Sequence, residues 1–174
     1  MNNGKAKIKE SINGISIQLP SKKNWFFLLF ATAWMGGWFF GFTGALGMFD
    51  SGSSGFITFW LIGWTIGGCF ITVFLLWGYF GIERFIISGS TALLEKSVFG
   101  IGIKSRLKKS ELKEFRFEKI NTGLMGGNRW AVYGFGPGKI QFDYGFKTYS
   151  FGLGLDDAEA KHIVQLLIDK TSRN

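Results

Sequence analysis

The chain is poor in the side chains that carry covalent or metal chemistry. Its 174 residues include one cysteine, Cys69, and one histidine, His162. A single cysteine excludes an internal disulfide and gives no evidence for an oxidising compartment. Cys69 lies in an apolar stretch, where a free thiol behaves as a small hydrophobe. Metal centres need several ligands drawn from Cys, His and carboxylates, so no metal or cofactor is expected. His162 follows Lys161 in a helix-forming segment with no nucleophile or second histidine to pair with, and reads as a solvated helix residue. The neighbouring Asp156 and Asp157 are explained by helix capping. No catalytic residue is identified, and the chain is not expected to be an enzyme.

Charge is missing too, but only locally. Between Trp25 and Ile82 the one charged residue is Asp50. Two uncharged runs result, 25–49 and 56–82, and each exceeds the roughly 20 apolar residues a membrane-spanning helix needs. The first run is too long for a secretory signal and lacks a small-x-small exit. No ionisable side chain lies in the middle of either run, which argues against a channel, pump or transporter built from this chain alone. The short loop Asp50 to Gly55 makes the two spans an antiparallel hairpin.

What is abundant then sets the orientation. The net charge is +8, and the basic residues flank the spans. Lys5, Lys7, Lys9, Lys22 and Lys23 precede the first; Arg84, Lys96, Lys104, Arg106, Lys108 and Lys109 follow the second. By the positive-inside rule both termini are expected to be cytoplasmic, with Trp25, Trp77 and Tyr79 in the interfacial belt. Glycine is frequent inside the spans. Ala33, Gly37, Gly41 and Ala45 share one face of the first helix, and Gly63 and Gly67 repeat the spacing in the second. Such faces let helices approach closely in lipid. They serve either span-on-span packing or docking onto another membrane protein or a second copy.

After Glu83 the apolar period changes to two, the mark of strands. "RFIIS", "TALLEKSVF", "IKSRLKK", "ELKEFRFEKI", "RWAVYGF", "KIQFDYG" and "FKTYSFG" give about seven antiparallel strands. Turns are expected at Gly89–Ser90, Gly100 to Gly102 and Gly136 to Gly138, with a loop over Asn121 to Asn128. A final helix over 156–170 opens on an Asp156/Glu159 capping-box spacing, and Ala160, Ile163, Val164 and Leu167 mark its apolar face. Upstream, "NG" (Asn13, Gly14) turns a hairpin in 5–20, and Ile15, Ile17 and Leu19 alternate, so this piece is expected to join the same sheet. Three parts follow: a cytoplasmic hairpin at 1–23, a membrane hairpin at 24–83, and a cytoplasmic α+β domain at 84–174.

Seven strands closed by a capped helix resemble a pleckstrin-homology-like (PH-like) fold. With two spans before it, an "ERF-I-S" exit and a strand–"GIG"–basic strand, the chain resembles the bacterial PH-like domain membrane proteins. A more remote likeness is to the photosystem I assembly factor of chloroplasts and cyanobacteria, which also sets two spans before a strand-rich domain. The resemblance implies an integral protein of the bacterial cytoplasmic (inner) membrane with a PH-like domain and no common catalytic residues.

Two motifs remain. "GFGPGK" (Gly134 to Lys139) lacks the spacing and the Ser/Thr of a phosphate loop and reads as a hairpin turn. "IKSRLKK" places Lys104, Arg106 and Lys108 on one strand face and Ile103, Ser105 and Leu107 on the other, with Lys109 extending the basic run. That face is either solvated or attracted to anionic headgroups, at about 1 kcal/mol per cation near the surface. Interleaved Glu111, Glu114 and Glu118 make a nucleic-acid role unfavourable. The expected function is a membrane-anchored scaffold, assembly factor or accessory subunit with membrane lipids and a membrane protein as partners. The alternative is a regulator that senses anionic lipid through Lys104, Arg106, Lys108 and Lys109.

Overall fold

The expected N-terminal hairpin forms, but its turn is Ile12–Asn13 rather than Asn13–Gly14, and Gly14 opens the second strand opposite Ser11. β1 (Lys7–Ser11) pairs antiparallel with β2 (Gly14–Pro20), and β2 in turn pairs with a strand from beyond the apolar helices. The computed structural model describes residues 4–49, 55–120, 128, 131 and 133–172. They form two units, Asn24–Tyr79 and a second made of Met1–Lys23 with Phe80–Asn174.

The first unit holds α1 (Trp25–Phe49) and α2 (Gly55–Phe80). Both are long and apolar enough to cross a membrane, with mean hydropathies of 1.4 and 2.0. Asn24 caps α1: the Phe27 N–H donates to its Oδ1 at 3.3 Å. Several polar side chains inside the helices are satisfied internally. The Thr32 hydroxyl lies 2.8 Å from the Leu28 carbonyl and 2.9 Å from the Tyr79 hydroxyl, and the Trp64 indole donates to the Trp38 carbonyl at 3.3 Å.

The second unit contains two antiparallel sheets and a helix. β3 (Gly81–Ser88), β4 (Thr91–Val98) and β5 (Ile101–Lys108) extend the first hairpin into a five-stranded sheet of order β1-β2-β3-β4-β5. β6 (Leu112–Phe117), β7 (Ile140–Tyr144) and β8 (Lys147–Phe151) make a three-stranded sheet. α3 (Asp157–Ser172) closes the chain and buries Ala160, Ile163, Val164 and Leu167, the face expected from its period. Period-two alternation directs Ile15, Ile17 and Leu19 of β2, with Phe85 and Ile87 of β3, into one core. Phe85 joins the sheets, with its ring stacked on Phe151 at 4.9 Å and tilted against Phe142 at 5.2 Å. Side chains tie the N-terminal piece to α3. Glu159 accepts the Ala6 N–H at 2.8 Å, and Lys170 pairs with Glu10 at 3.3 Å.

Several boundaries differ from the sequence reading. The second apolar run does not stay helical to Ile82, because Gly81 and Ile82 already pair with Val98 and Ser97 in the sheet. The glycine turn at 100–102 is a Phe99–Gly100 turn, and Ile101 and Gly102 belong to β5. Asp156 and Glu159 form no capping box: the Glu159 carboxylate is drawn to Ala6, and the Asp156 side chain lies 3.5 Å from Lys5. The strand expected at "RWAVYGF" is absent among its described residues. Ala131 and Gly134 instead make i→i+3 bonds of a helical turn, to Asn128 and Ala131 at 3.0 and 3.3 Å. The Lys22 ammonium holds the Ala131 carbonyl at 3.0 Å, a tertiary contact that overrides the local strand preference. The described residues after α2 therefore hold six strands rather than seven. The loop residues 50–54 and 121–127 lie outside the described residues.

Candidate functional site

Residues directly opposite in an antiparallel sheet share a face. The register puts Gln18, Arg84, Glu95 and Lys104 in one row of the outer face, and Leu93 and Arg106 in the next. Lys104, Arg106 and Lys108 do share that face. They are not four free cations with Lys109, however. Glu95 sits between two of the cations on its row, 3.6 Å from the Arg84 guanidinium and 3.4 Å from the Lys104 ammonium. Burial acts to raise the Glu95 pKa; the Ser97 hydroxyl, Lys104 and Arg84 outweigh it and hold the carboxyl below its ordinary value. Lys108 pairs with Glu111 at 3.2 Å. Lys109 opens a short 3₁₀ turn after β5, where its backbone N–H donates to the Ser90 carbonyl. Arg106 is exposed and has no ion pair among the described residues. Glu95 and Glu111 thus offset two of the four cations Arg84, Lys104, Arg106 and Lys108.

Position along the strand separates these residues further. The row Gly81–Val98–Ile101 adjoins the end of α2, while Ser88–Thr91–Lys108 is the opposite end of the sheet. The two rows are seven residue steps apart along the strand, about 23 Å at the usual rise.

The inner face of β5 departs from expectation. Leu107 is 5% exposed and belongs to the core, but Ile103 on the same face is 75% exposed and Ile101 82%. Alternation points them inward, beyond the part of the sheet that β6–β8 and α3 cover. The adjoining turn carries Phe99, 71% exposed, at φ +51° and followed by Gly100 at +84°. The Phe99 ring packs on Phe80, the last residue of α2, with centroids 4.9 Å apart.

In the apolar hairpin the small residues divide into two groups. Gly41 faces Trp64, and an added Cβ there would lie 3.2 Å from its ring. Ala45 is buried. Gly68 and Gly78, which the spacing pattern had not singled out, pack tightest, against Trp38 and Leu28. A Cβ at Gly37, Gly63 or Gly67 would meet nothing within 4 Å, and Ala33 is exposed. Gly63 and Gly67 line an open apolar groove of about 460 Å³ with Trp34, Trp38, Phe59 and Trp60.

The remaining motifs are structural. "GFGPGK" is not a turn between two strands but the approach to β7. Its Gly138 N–H donates to the Ser150 hydroxyl at 3.0 Å. Its Lys139 ammonium is held by the Leu155 carbonyl at 2.6 Å and by Asp157 at 2.7 Å, which keeps the Asp157 carboxyl below its ordinary pKa. His162 is exposed on α3. No protein-family model matches the chain, and a search of curated proteins finds none that matches it.

Proposed function

We propose that the chain is a two-span protein of a bacterial cytoplasmic membrane whose PH-like domain faces the cytoplasm. In this reading it acts without catalysis, as a scaffold, assembly factor or accessory subunit of a membrane protein complex. The pairing of Pro20 with Ile82 supports the topology: it holds the strands on either side of the apolar hairpin together, so the hairpin as a whole enters and leaves the membrane on one side. The basic flanks make that side the cytoplasmic one. Two antiparallel sheets sharing a core with one C-terminal helix support the PH-like assignment.

One observation carries the interaction role. The hairpin packs through Gly41, Gly68 and Gly78 and leaves Gly63 and Gly67 open in an aromatic groove. Small residues with free approach are where another transmembrane helix packs closely. Purification of the full chain in mild detergent tests this. A stoichiometric membrane protein that co-purifies with wild type and is lost from Gly63→Leu/Gly67→Leu is the expected result. A preparation holding anionic lipid and no protein would instead favour a headgroup sensor, the second reading, which rests on exposed Arg106.

A further inference from the structure

The exposed apolar residues of the sheet unit are not evenly scattered. Ile12 and Phe146 project singly from turns, and isolated apolar residues on a surface need no explanation. Ile12 also lies at the Gly14–Ser88 end of the sheet, away from α2. Phe80, Phe99, Ile101 and Ile103 are different. Phe99, Ile101 and Ile103 follow one another along the β4–β5 hairpin, and Phe80, on which the Phe99 ring packs, ends α2; the four are between 50% and 82% exposed.

We propose that the β4–β5 hairpin tip, Phe99 with Ile101 and Ile103, is seated in the headgroup–acyl boundary of the bilayer beside the end of α2. The occupant of the patch is lipid. This inference rests on α1 and α2 being membrane-spanning and goes beyond the interaction role proposed above.

Three observations support it. Covalent continuity comes first. Gly81 follows Phe80 directly and pairs with Val98, and the Phe99 ring lies on Phe80, so the tip packs on the residue that ends α2. With α2 as a span, an apolar cluster packed on its last residue meets lipid rather than bulk water. The second is the arrangement of charge. Ile101 and Ile103 share one face of β5 while Lys104 and Arg106 take the other, the amphipathic pattern that buries apolar side chains shallowly and leaves cations at the headgroups. The third is the turn. Two positive φ values in a two-residue hairpin loop are met most easily by Asn-Gly or Asp-Gly. A phenylalanine at φ +51° is a local conflict with no compensating contact in the core, and such conflicts occur where a side chain serves function rather than folding.

Spin labels on the full chain in phosphatidylethanolamine–phosphatidylglycerol vesicles test the proposal. In a Cys69→Ala background, single cysteines are introduced by Phe99→Cys, Ile103→Cys, Ser90→Cys and Phe70→Cys. Collision with oxygen is compared with collision with a water-soluble nickel chelate. Phe70, midway along α2, reports on insertion itself. The expected result is a ratio several-fold higher at 99 and 103 than at 90, and highest at 70. A deep label at 70 with labels at 99 and 103 as aqueous as 90 overturns the tip assignment and leaves the span reading intact. An aqueous label at 70 overturns both. Protection at 99 and 103 that disappears on dilution to one copy per vesicle would place a second copy on the patch and overturn the lipid assignment.

Discussion

β2 sits in the interior of the five-stranded sheet, although the whole apolar hairpin separates it from β3 in sequence. Residues 80–172 alone should therefore fail to fold. Ile15, Ile17 and Leu19 are at most 2% exposed. Each fully buried aliphatic side chain contributes about 1.5–3 kcal/mol, so the three together supply roughly 5–9 kcal/mol. That is an upper estimate, since a real unfolded chain is already partly collapsed. It is still most of the 5–15 kcal/mol typical of a domain. Joining 4–23 to 80–172 should restore folding, and the linker can be short, because the Ser21 N–H donates to the Gly81 carbonyl at 2.9 Å. The joined chain should give a strand-dominated circular dichroism spectrum and one cooperative urea transition. Ile17→Ala, at a fully buried site, should lower its stability by about 2–5 kcal/mol with an unchanged denaturant slope. If 80–172 alone unfolded with the same midpoint and slope as the joined chain, the reasoning about β2 would be refuted.

The other expectations are more local. The joined domain should lose stability as acid protonates its paired carboxylates. Asp143, held by the Arg116 guanidinium at 2.8 and 3.2 Å, and Asp157, held by Lys139, lie below their ordinary 3.8, and Glu95 lies below 4.5. Their contribution is complete above those ordinary values and falls away as pH drops through the lower folded ones. Urea midpoints from pH 6 to about pH 2 should show the decline, with a shallower decline in Asp143→Asn. Phe99→Asn should raise stability by up to about 1 kcal/mol, because asparagine tolerates the left-handed conformation, while removing the apolar tip; a lowered urea midpoint would contradict this. Gly68→Leu should disrupt hairpin packing against Trp38, whereas Gly44→Leu meets open space. Thermal aggregation in detergent separates the two.

The sequence was most legible where one local signal and one tertiary demand agreed. The alternation of Ile15, Ile17 and Leu19 marked β2, and the core needed that face. Charge depletion marked both long apolar helices, and α3 buries the side chains its period selects. Misreadings arose where a distant group intervened. Nothing local says that Lys22 will hold the Ala131 carbonyl beside a helical turn at Ala131 and Gly134, or that Ala6 will take Glu159 from its cap. Apolarity could not find the end of α2, since Gly81 and Ile82 continue the uncharged run and it is their pairing with β4, and that of Ile82 with β2, that makes them strand. Gly68 and Gly78 escaped notice because the spacing search rewards repeats, whereas the hairpin uses single glycines under Trp38 and Leu28. At Ile101 and Ile103, alternation gives the face a side chain takes but not whether anything covers it.

The cations of β5 now have two physical explanations, and the sign of the charge separates them. β5 ends its sheet, and no described strand pairs with its outer edge. Edge strands are commonly protected from pairing with other chains by charged side chains, lysine above all. Lys104, Arg106 and Lys108 meet that need along one stretch of β5, while Ile101 and Ile103, with no charge of their own, lie where the bilayer would cover the edge. Edge protection works with charge of either sign; attraction to anionic headgroups works with only one. Reversing all three cations to Glu should keep the joined domain monomeric in either case. If headgroups are bound, the reversal weakens its binding to anionic vesicles, and salt weakens wild-type binding with a screening length of about 8 Å. The effect should come mainly from Arg106, because Glu95 and Glu111 already offset Lys104 and Lys108. Replacing the three with Thr removes both functions and should promote self-association, measured by sedimentation. Unchanged vesicle binding by a folded, monomeric Glu variant would leave edge protection as the function of the basic strand and remove the support for a headgroup sensor.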